Sequence, residues 1–216
     1  MADETLKERI LDLARPAVRG QGLEVWGLEI NESGRMLVRL YVEAPADAGA
    51  QAAEAEGDAQ GDGEGLARIS ATVDQCEAIS RQLALALDAE GPIDRAYTLE
   101  VSSPGFNRLF FDLSQMAPYV GDMVEARMPA PWAPDDTTPR RRVWRGVLKA
   151  VEGESFTLAP SSVDEDGVVT GEDMAPVVIP FALARRVNRI HVFRRPQKPG
   201  KGRKPARNAR PERENA

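Results

Sequence analysis

The chain has very few of the side chains on which covalent and metal chemistry most often depends. Among its 216 residues there is one cysteine, Cys76, and one histidine, His191. A single cysteine excludes an intrachain disulfide, as is usual in a reducing cytoplasm, and one cysteine with one histidine cannot assemble a zinc site. Cys76 lies on the apolar face of a predicted helix, where we expect a small core residue. His191 has no recognisable partner, so we expect it on a strand surface and expect no cofactor or metal.

Long apolar runs and nucleotide-binding motifs are also missing. The first residues lack the apolar stretch of a signal peptide, and no segment approaches the length of a transmembrane helix. No phosphate-loop or dinucleotide motif occurs, and the glycine-rich residues 61–65 carry acids that would repel phosphate. We therefore expect a soluble, cytoplasmic, monomeric protein.

Charge is separated along the chain, although the net charge of −6 alone argues against a nucleic-acid partner. Residues 44–65 carry six acids and no base in a low-complexity segment of Ala, Gly, Glu, Asp and Gln. Such a composition cannot bury enough apolar surface to fold, so we predict a disordered insertion; an acidic arm for a basic partner is the alternative. Residues 194–216 carry nine bases against two acids. This predicts a disordered basic tail that binds RNA phosphates, unless it only improves solubility.

Two amphipathic patterns predict helices in the first half of the chain. Thr5-x-x-Glu8 reads as a capping box that opens the first helix, which Pro16 should kink or shorten. Thr72-x-x-Gln75 should cap a second helix in the same way.

Three segments alternate as strands do. Residues 23–30 place Trp26, Leu28 and Ile30 on one face, and residues 36–43 follow after a hairpin turn at 31–34. The third strand begins at Tyr97, which gives the order αββαβ over residues 1–106. This order suits a small three-stranded sheet with two helices on one side, an α+β arrangement.

Several short strand-like segments follow a connector at residues 107–118. They fall at residues 119–128, 143–151, 155–159 and 176–180, with a helical turn at 181–187 and a last strand near 188–193. Short strands at this spacing predict a small β-barrel over residues 119–193.

The turn after the third strand is the most informative part of the chain. Tyr97, Leu99 and Val101 alternate with polar residues, and Ser102-Ser103-Pro104-Gly105 then stops the strand. Proline restricts the residue before it to extended geometry and glycine permits positive φ, so the turn should present Asn107 and Arg108 rigidly. An enzyme with Ser102 or Ser103 as nucleophile is a rival reading, but no paired base and no Gly-x-Ser-x-Gly elbow supports it.

The segment from Tyr97 through Gly105, with Arg108 after it, resembles the signature of the RimP family of ribosome maturation factors. The resemblance extends to residues 23–30, 74–81 and 145–149, with departures at Asn107, usually Asp in the family, and Leu109, usually Pro. It implies an SH3-like or Sm-like C-terminal barrel. It further implies a non-catalytic cytoplasmic factor that binds the small (30S) ribosomal subunit during assembly, in contact with rRNA and a ribosomal protein near the decoding centre.

Basic side chains on a predicted barrel strand provide a second candidate RNA surface. They follow a proline-rich loop and lie near Trp132 and Trp144, which could stack on a base; alternatively, Trp144 is core and the arginines form a solvated edge. An Sm-like RNA-binding regulator unconnected to ribosomes is therefore the alternative function. Arg108 also has a structural alternative, a tie between the two domains through an internal carboxylate. The predicted ribosome- or RNA-binding residues are Ser102, Ser103, Gly105, Asn107, Arg108, Arg141, Arg142, Arg145 and Lys149.

Overall fold

The computed structural model of the chain describes residues 2–45 and 70–193, with side chains from residue 5 onward. The predicted acidic insertion, apart from its first two residues, and the whole predicted basic tail lie outside the described residues. Two hydrophobic cores organise the rest, one under a three-stranded sheet and one inside a larger antiparallel sheet.

The N-terminal part has the predicted element order. Helix α1 (Ala2–Gly20) is followed by β1 (Glu24–Asn31), β2 (Met36–Glu43), α2 (Val73–Glu90) and β3 (Tyr97–Ser102). The sheet order is β1-β2-β3, with β1 antiparallel and β3 parallel to the central β2. Both helices contribute to the first core; its fully buried members include Ile10, Val38, Leu40, Ile79 and Leu83.

Helix boundaries follow local capping in one case and depart from it in the other. The Thr72 Oγ1 accepts from Gln75 N at 3.2 Å and the Gln75 Oε1 accepts from Thr72 N at 2.9 Å, so the predicted box that opens α2 is confirmed. Helix α1 begins at Ala2, before the box predicted at Thr5. It also continues past Pro16 to Gly20, so Pro16 does not shorten it, and the other expectation for this position, a kink, stays a prediction. Packing of Ala14, Ala17 and Val18 into the core holds the last turns helical despite the proline.

The C-terminal part is an antiparallel sheet of seven strands. These are β4 (Leu109–Phe110), β5 (Met123–Trp132), β6 (Arg141–Glu152), β7 (Ser155–Val163), β8 (Val169–Gly171), β9 (Val177–Pro180) and β10 (Arg186–Ile190). The hydrogen-bonded order is β4-β10-β5-β6-β7-β8, and β9 also pairs with β7. Within the described residues no pairing joins β8 or β9 to β4, so closure of the sheet into the predicted barrel is not detected, and the SH3-like or Sm-like barrel stays a prediction.

The predicted connector is structured and belongs to this second sheet. It contains β4 and a 3-10 helix (Leu113–Tyr119), and Phe110 and Met116 are buried in the second core. Strand β4 pairs with β10, the last strand of the chain that the structure describes. The linking segment between the two sheets, residues 107–118, is therefore part of the second core, and hydrogen bonds join it to Trp26 of β1.

Candidate functional site

Trp26 crosses from the first sheet into the second core. Val25 pairs with Val42 and Gly27 with Tyr41, so Trp26 is the extra residue of a β-bulge in β1. Its side chain leaves the face that Leu28 shares with the first core and packs against Phe110, while its Nε1 donates to Leu109 O at 2.6 Å. The prediction that Trp26, Leu28 and Ile30 share one face is wrong at Trp26, because a bulge inserts one residue into the alternation.

Gln115 and Phe111 fasten the linking segment onto the same bulge. Gln115 Nε2 donates to Trp26 O at 2.6 Å, and its Oε1 accepts from Phe111 N at 2.8 Å. The Phe111 ring lies directly over Gly27, where a Cβ atom would come within 2.0 Å of it. Gly27 is thus required for the close approach of the linking segment to β1.

Arg108 is the central charged residue of this junction, which we define as Trp26, Gly27, Arg108, Phe111 and Gln115. Its Nη1 lies 3.0 Å from the Glu43 carboxylate at the end of β2 and donates also to the Tyr119 hydroxyl. The guanidinium stands 5.0 Å from the Trp26 ring centroid. The Arg108 and Glu43 side chains are only 12% and 5% exposed. This geometry favours the structural alternative for Arg108, a tie between the two sheets, and its role as a ribosome contact stays a prediction.

The turn after β3 is held to the last strand of the second sheet. Gly105 has a φ of 69°, as the turn prediction required. The Asn107 Oδ1 accepts from His191 N at 2.7 Å, and Arg189 N donates to Arg108 O at 2.9 Å. Ser102 and Ser103 are half-buried, whereas Gly105 and Asn107 are exposed. Asn107 and Arg108, at the end of the turn, are therefore held against β10 and the residue that follows it.

The predicted basic cluster on β6 contains two arginines that pair with carboxylates and two further exposed bases. Arg145 Nε lies 2.6 Å from Glu125, and Arg141 Nη1 lies 2.8 Å from Glu172 while its guanidinium stands 5.2 Å from the Trp144 ring. Trp144 is buried, as the structural alternative for this cluster expected. Arg142 and Lys149 are exposed. Two of the four bases of the cluster are thus engaged by carboxylates.

Glu125 on β5 pairs with Arg145 of this cluster and with Arg127. Its carboxylate is buried between two cations, with Arg127 Nε and Arg145 Nε each at 2.6 Å. Burial by itself would raise the pKa of the Glu125 carboxyl, but the hydrogen bonds from Arg127 and Arg145 outweigh it, and the pKa lies below its ordinary value. Glu125 is therefore charged at neutral pH and fixes the two arginines in place. Sequence reasoning missed it because the pairing of Glu125 with Arg145 depends on the β5–β6 register.

An aromatic cluster beside the turn was also missed. Phe106, His191 and Phe193 bring their rings together at the surface. Phe106 and Phe193 are 64% and 67% exposed, although both are large and apolar. The sequence signal was present in Phe106 at the tip of the turn and Phe193 beside the basic run, but nothing local indicated that the two meet.

Residues 2–45 and 70–193 contain no long apolar helix and no candidate metal cluster. No helix in these ranges is long and apolar enough to cross a membrane. No group of three or more histidine, cysteine or carboxylate side chains there is arranged to hold a metal ion.

Comparison with known proteins identifies the class of this two-sheet molecule. Residues 13–107 match the family described as the RimP N-terminal domain. The ribosome maturation factor RimP of Desulfovibrio desulfuricans (strain ATCC 27774) is 45% identical over 93% of this chain and 86% of its own length. Two proteins of the same name from Nitratidesulfovibrio vulgaris are 37% identical (strain Miyazaki F; 93% of this chain, 89% of theirs) and 38% identical (strain DP4; 96% and 100%). The chain belongs to the ribosome maturation factor RimP family.

Proposed function

We propose that this chain promotes ribosome maturation by binding the small (30S) subunit during its assembly, without catalysing a covalent step. Support comes first from the family, since relatives named ribosome maturation factor RimP match this chain over 86% and 100% of their own length. The proposed partners are small-subunit rRNA and a ribosomal protein near the decoding centre, and the proposed setting is the cytoplasm, with the factor acting as a monomer.

The observation that carries the proposal is the junction between the two sheets. Trp26, Arg108 and Gln115 connect β1, β2 and the linking segment through buried contacts, so the exposed turn and the outer face of β6 keep a fixed relation. A preformed surface loses little conformational entropy when it binds. A rigid body of this kind suits recognition of one arrangement of an RNA–protein particle.

The proposed mechanism is a shift in the population of rRNA arrangements. A ligand shifts an equilibrium only by its difference in affinity for the two states, so the factor must bind an immature arrangement more tightly than the finished one. We propose contacts through Ser102, Ser103, Gly105 and Asn107 on the turn and through Arg142 and Lys149 on β6. Arg141 and Arg145 would add to the positive electrostatic potential of this surface while they remain paired with carboxylates. Arg108 would act by positioning the turn.

A pulldown of the tagged full chain from growing cells tests this function. Immature small-subunit rRNA and small-subunit proteins should be enriched over large-subunit components and over unrelated RNA. Enrichment of diverse RNAs without ribosomal proteins would instead support the alternative, an Sm-like RNA-binding regulator. As a control for the enzyme reading, the chain should remain unlabelled by a serine-reactive phosphonate.

A further inference from the structure

We propose that Phe106, His191 and Phe193 form a stacking surface for unpaired bases of single-stranded RNA. This inference rests on the proposed function in one respect only, because it assigns the RNA contact of that function to a particular surface. The established family membership does not assign a role to these three side chains.

The three rings form a compact group in which both phenylalanines are largely exposed. The His191 and Phe193 centroids are 4.4 Å apart, and the Phe106 centroid lies 5.0 Å from His191 and 6.3 Å from Phe193. These spacings are those of aromatic rings in mutual contact. Two phenylalanines that are about two-thirds exposed nevertheless leave a large apolar area in water. Such exposed apolar area is typical of a binding surface.

Hydrogen bonds hold the backbone on both sides of Phe106 and His191 together before any partner binds. His191 N donates to the Asn107 side chain, and Arg189 N donates to the Arg108 carbonyl. The turn is therefore hydrogen-bonded to the end of β10 and the residue after it. Arg108 in turn is held by Glu43 at the junction. A ring platform on a rigid support stacks on a base with little loss of entropy.

The bases of the adjoining sequence favour RNA over other occupants, although Arg108, Arg186 and Arg189 in the two segments that carry the rings pair with Glu43, Glu29 and Asp122. Residues 101–111 and 186–193, the two segments that carry the rings, contain no aspartate or glutamate. The residue after Phe193 is Arg194, the first of nine bases against two acids in residues 194–216. Aromatic rings beside a basic run match the chemistry of a single strand, in which bases stack and phosphates contact cations.

A binding assay on the full chain tests this inference without a ribosome. The probe is a fluorescently labelled single-stranded oligouridine of about 12 nucleotides, within the span of known single-strand sites. The double variant Phe106→Leu/Phe193→Leu keeps apolar bulk but removes both phenyl rings. We expect it to weaken binding by about tenfold or more, because stacking on one ring is worth a loss of that order. The double variant Phe106→Tyr/Phe193→Tyr, which retains the rings, should bind within about twofold of the parent.

Three controls separate stacking from charge and from general damage. Leu85→Ala, at an exposed apolar residue on α2, should leave oligouridine binding unchanged. Inorganic polyphosphate, which has charge but no bases, should bind the leucine double variant as well as the parent. The salt dependence of oligouridine binding should likewise keep its slope in that variant, since no phosphate contact is removed.

Three results would overturn the inference. One is oligouridine affinity unchanged by the leucine substitutions; another is an equal loss for the tyrosine variant. The third is a leucine variant that keeps RNA affinity but loses small-subunit precursors in the pulldown, which would make the cluster a protein contact. If the leucine variant loses oligouridine while the parent recovers no small-subunit precursors from cells, the stacking surface stands and the proposed function fails.

Discussion

Replacing Arg108 by methionine tests whether the junction holds the two sheets together. Methionine retains most of the length and apolar contact of the side chain but removes the cation 3.0 Å from Glu43. The Tyr119 hydroxyl loses its guanidinium donor, and the Trp26 ring loses the cation above it. The buried Glu43 carboxylate then loses its ion pair with Arg108 in the folded state.

The expected loss follows from the burial of both partners. Removing one partner of a buried ion pair costs about 3–5 kcal/mol. Arg108 keeps some contact with solvent, so we expect the lower end of this range, about 3 kcal/mol. For a chain of this size such a loss lowers the melting temperature by roughly 6 °C or more. An exposed ion pair costs only about 0–1 kcal/mol to remove.

Urea unfolding, followed by far-UV circular dichroism and by tryptophan fluorescence, measures this loss. Arg95→Met is the matched control, because Arg95 pairs with Glu32 at the surface, where both side chains are about half exposed. Small-angle scattering should also show a larger radius of gyration for Arg108→Met than for Arg95→Met. If the two variants unfold at the same urea concentration, Arg108 is not a structural tie and the junction account is wrong.

Three further outcomes follow from the structure. Gly27→Ala should destabilise the fold by about 1–3 kcal/mol, because the new Cβ overlaps the Phe111 ring. Gly20→Ala, with open space around it, should be neutral or slightly stabilising. Equal effects of the two substitutions in urea unfolding would contradict this. Glu125 has a lowered folded-state pKa, so its contribution is present above the unfolded pKa of about 4.3 and is lost as pH falls through the folded value. The stability difference between the parent and Glu125→Gln should therefore shrink in acid, and a constant difference would refute the role of the arginine pair. Truncation after Phe193 removes nine bases, which contribute at most about 6 to the slope of log K against log salt for binding of single-stranded RNA. The truncated chain should therefore show a flatter slope. An unchanged slope would show that the tail is not an RNA arm.

Local signals in the sequence predicted the N-terminal elements well. In the C-terminal part, the helical turn expected over residues 181–187 spans only Phe181–Leu183, and the strand expected near residues 188–193 lies at Arg186–Ile190. Strand β2 has the predicted bounds, and the box at Thr72 and Gln75 opens α2 where expected. Both depend on residues within one element: an alternation in the first case and a three-residue spacing in the second. The N-terminal sheet with its two helices could therefore be predicted without knowledge of the tertiary fold.

The candidate site depended on contacts between distant residues. Arg108 meets a carboxylate 65 positions away, and Asn107 meets a backbone amide 84 positions away. No spacing rule identifies such partners. Trp26 was placed on the wrong face because a bulge shifts the alternation, although the glycine that follows it is a recognised sign of a bulge.

The most direct test of the proposed function is the ratio of two affinities. The purified full chain is titrated against immature small-subunit particles and against mature small subunits at the same salt concentration. A factor that shifts the population of rRNA arrangements must bind the immature particle at least about tenfold more tightly, a difference of about 1.4 kcal/mol. Equal affinity for the two particles, or binding to neither, would contradict the account.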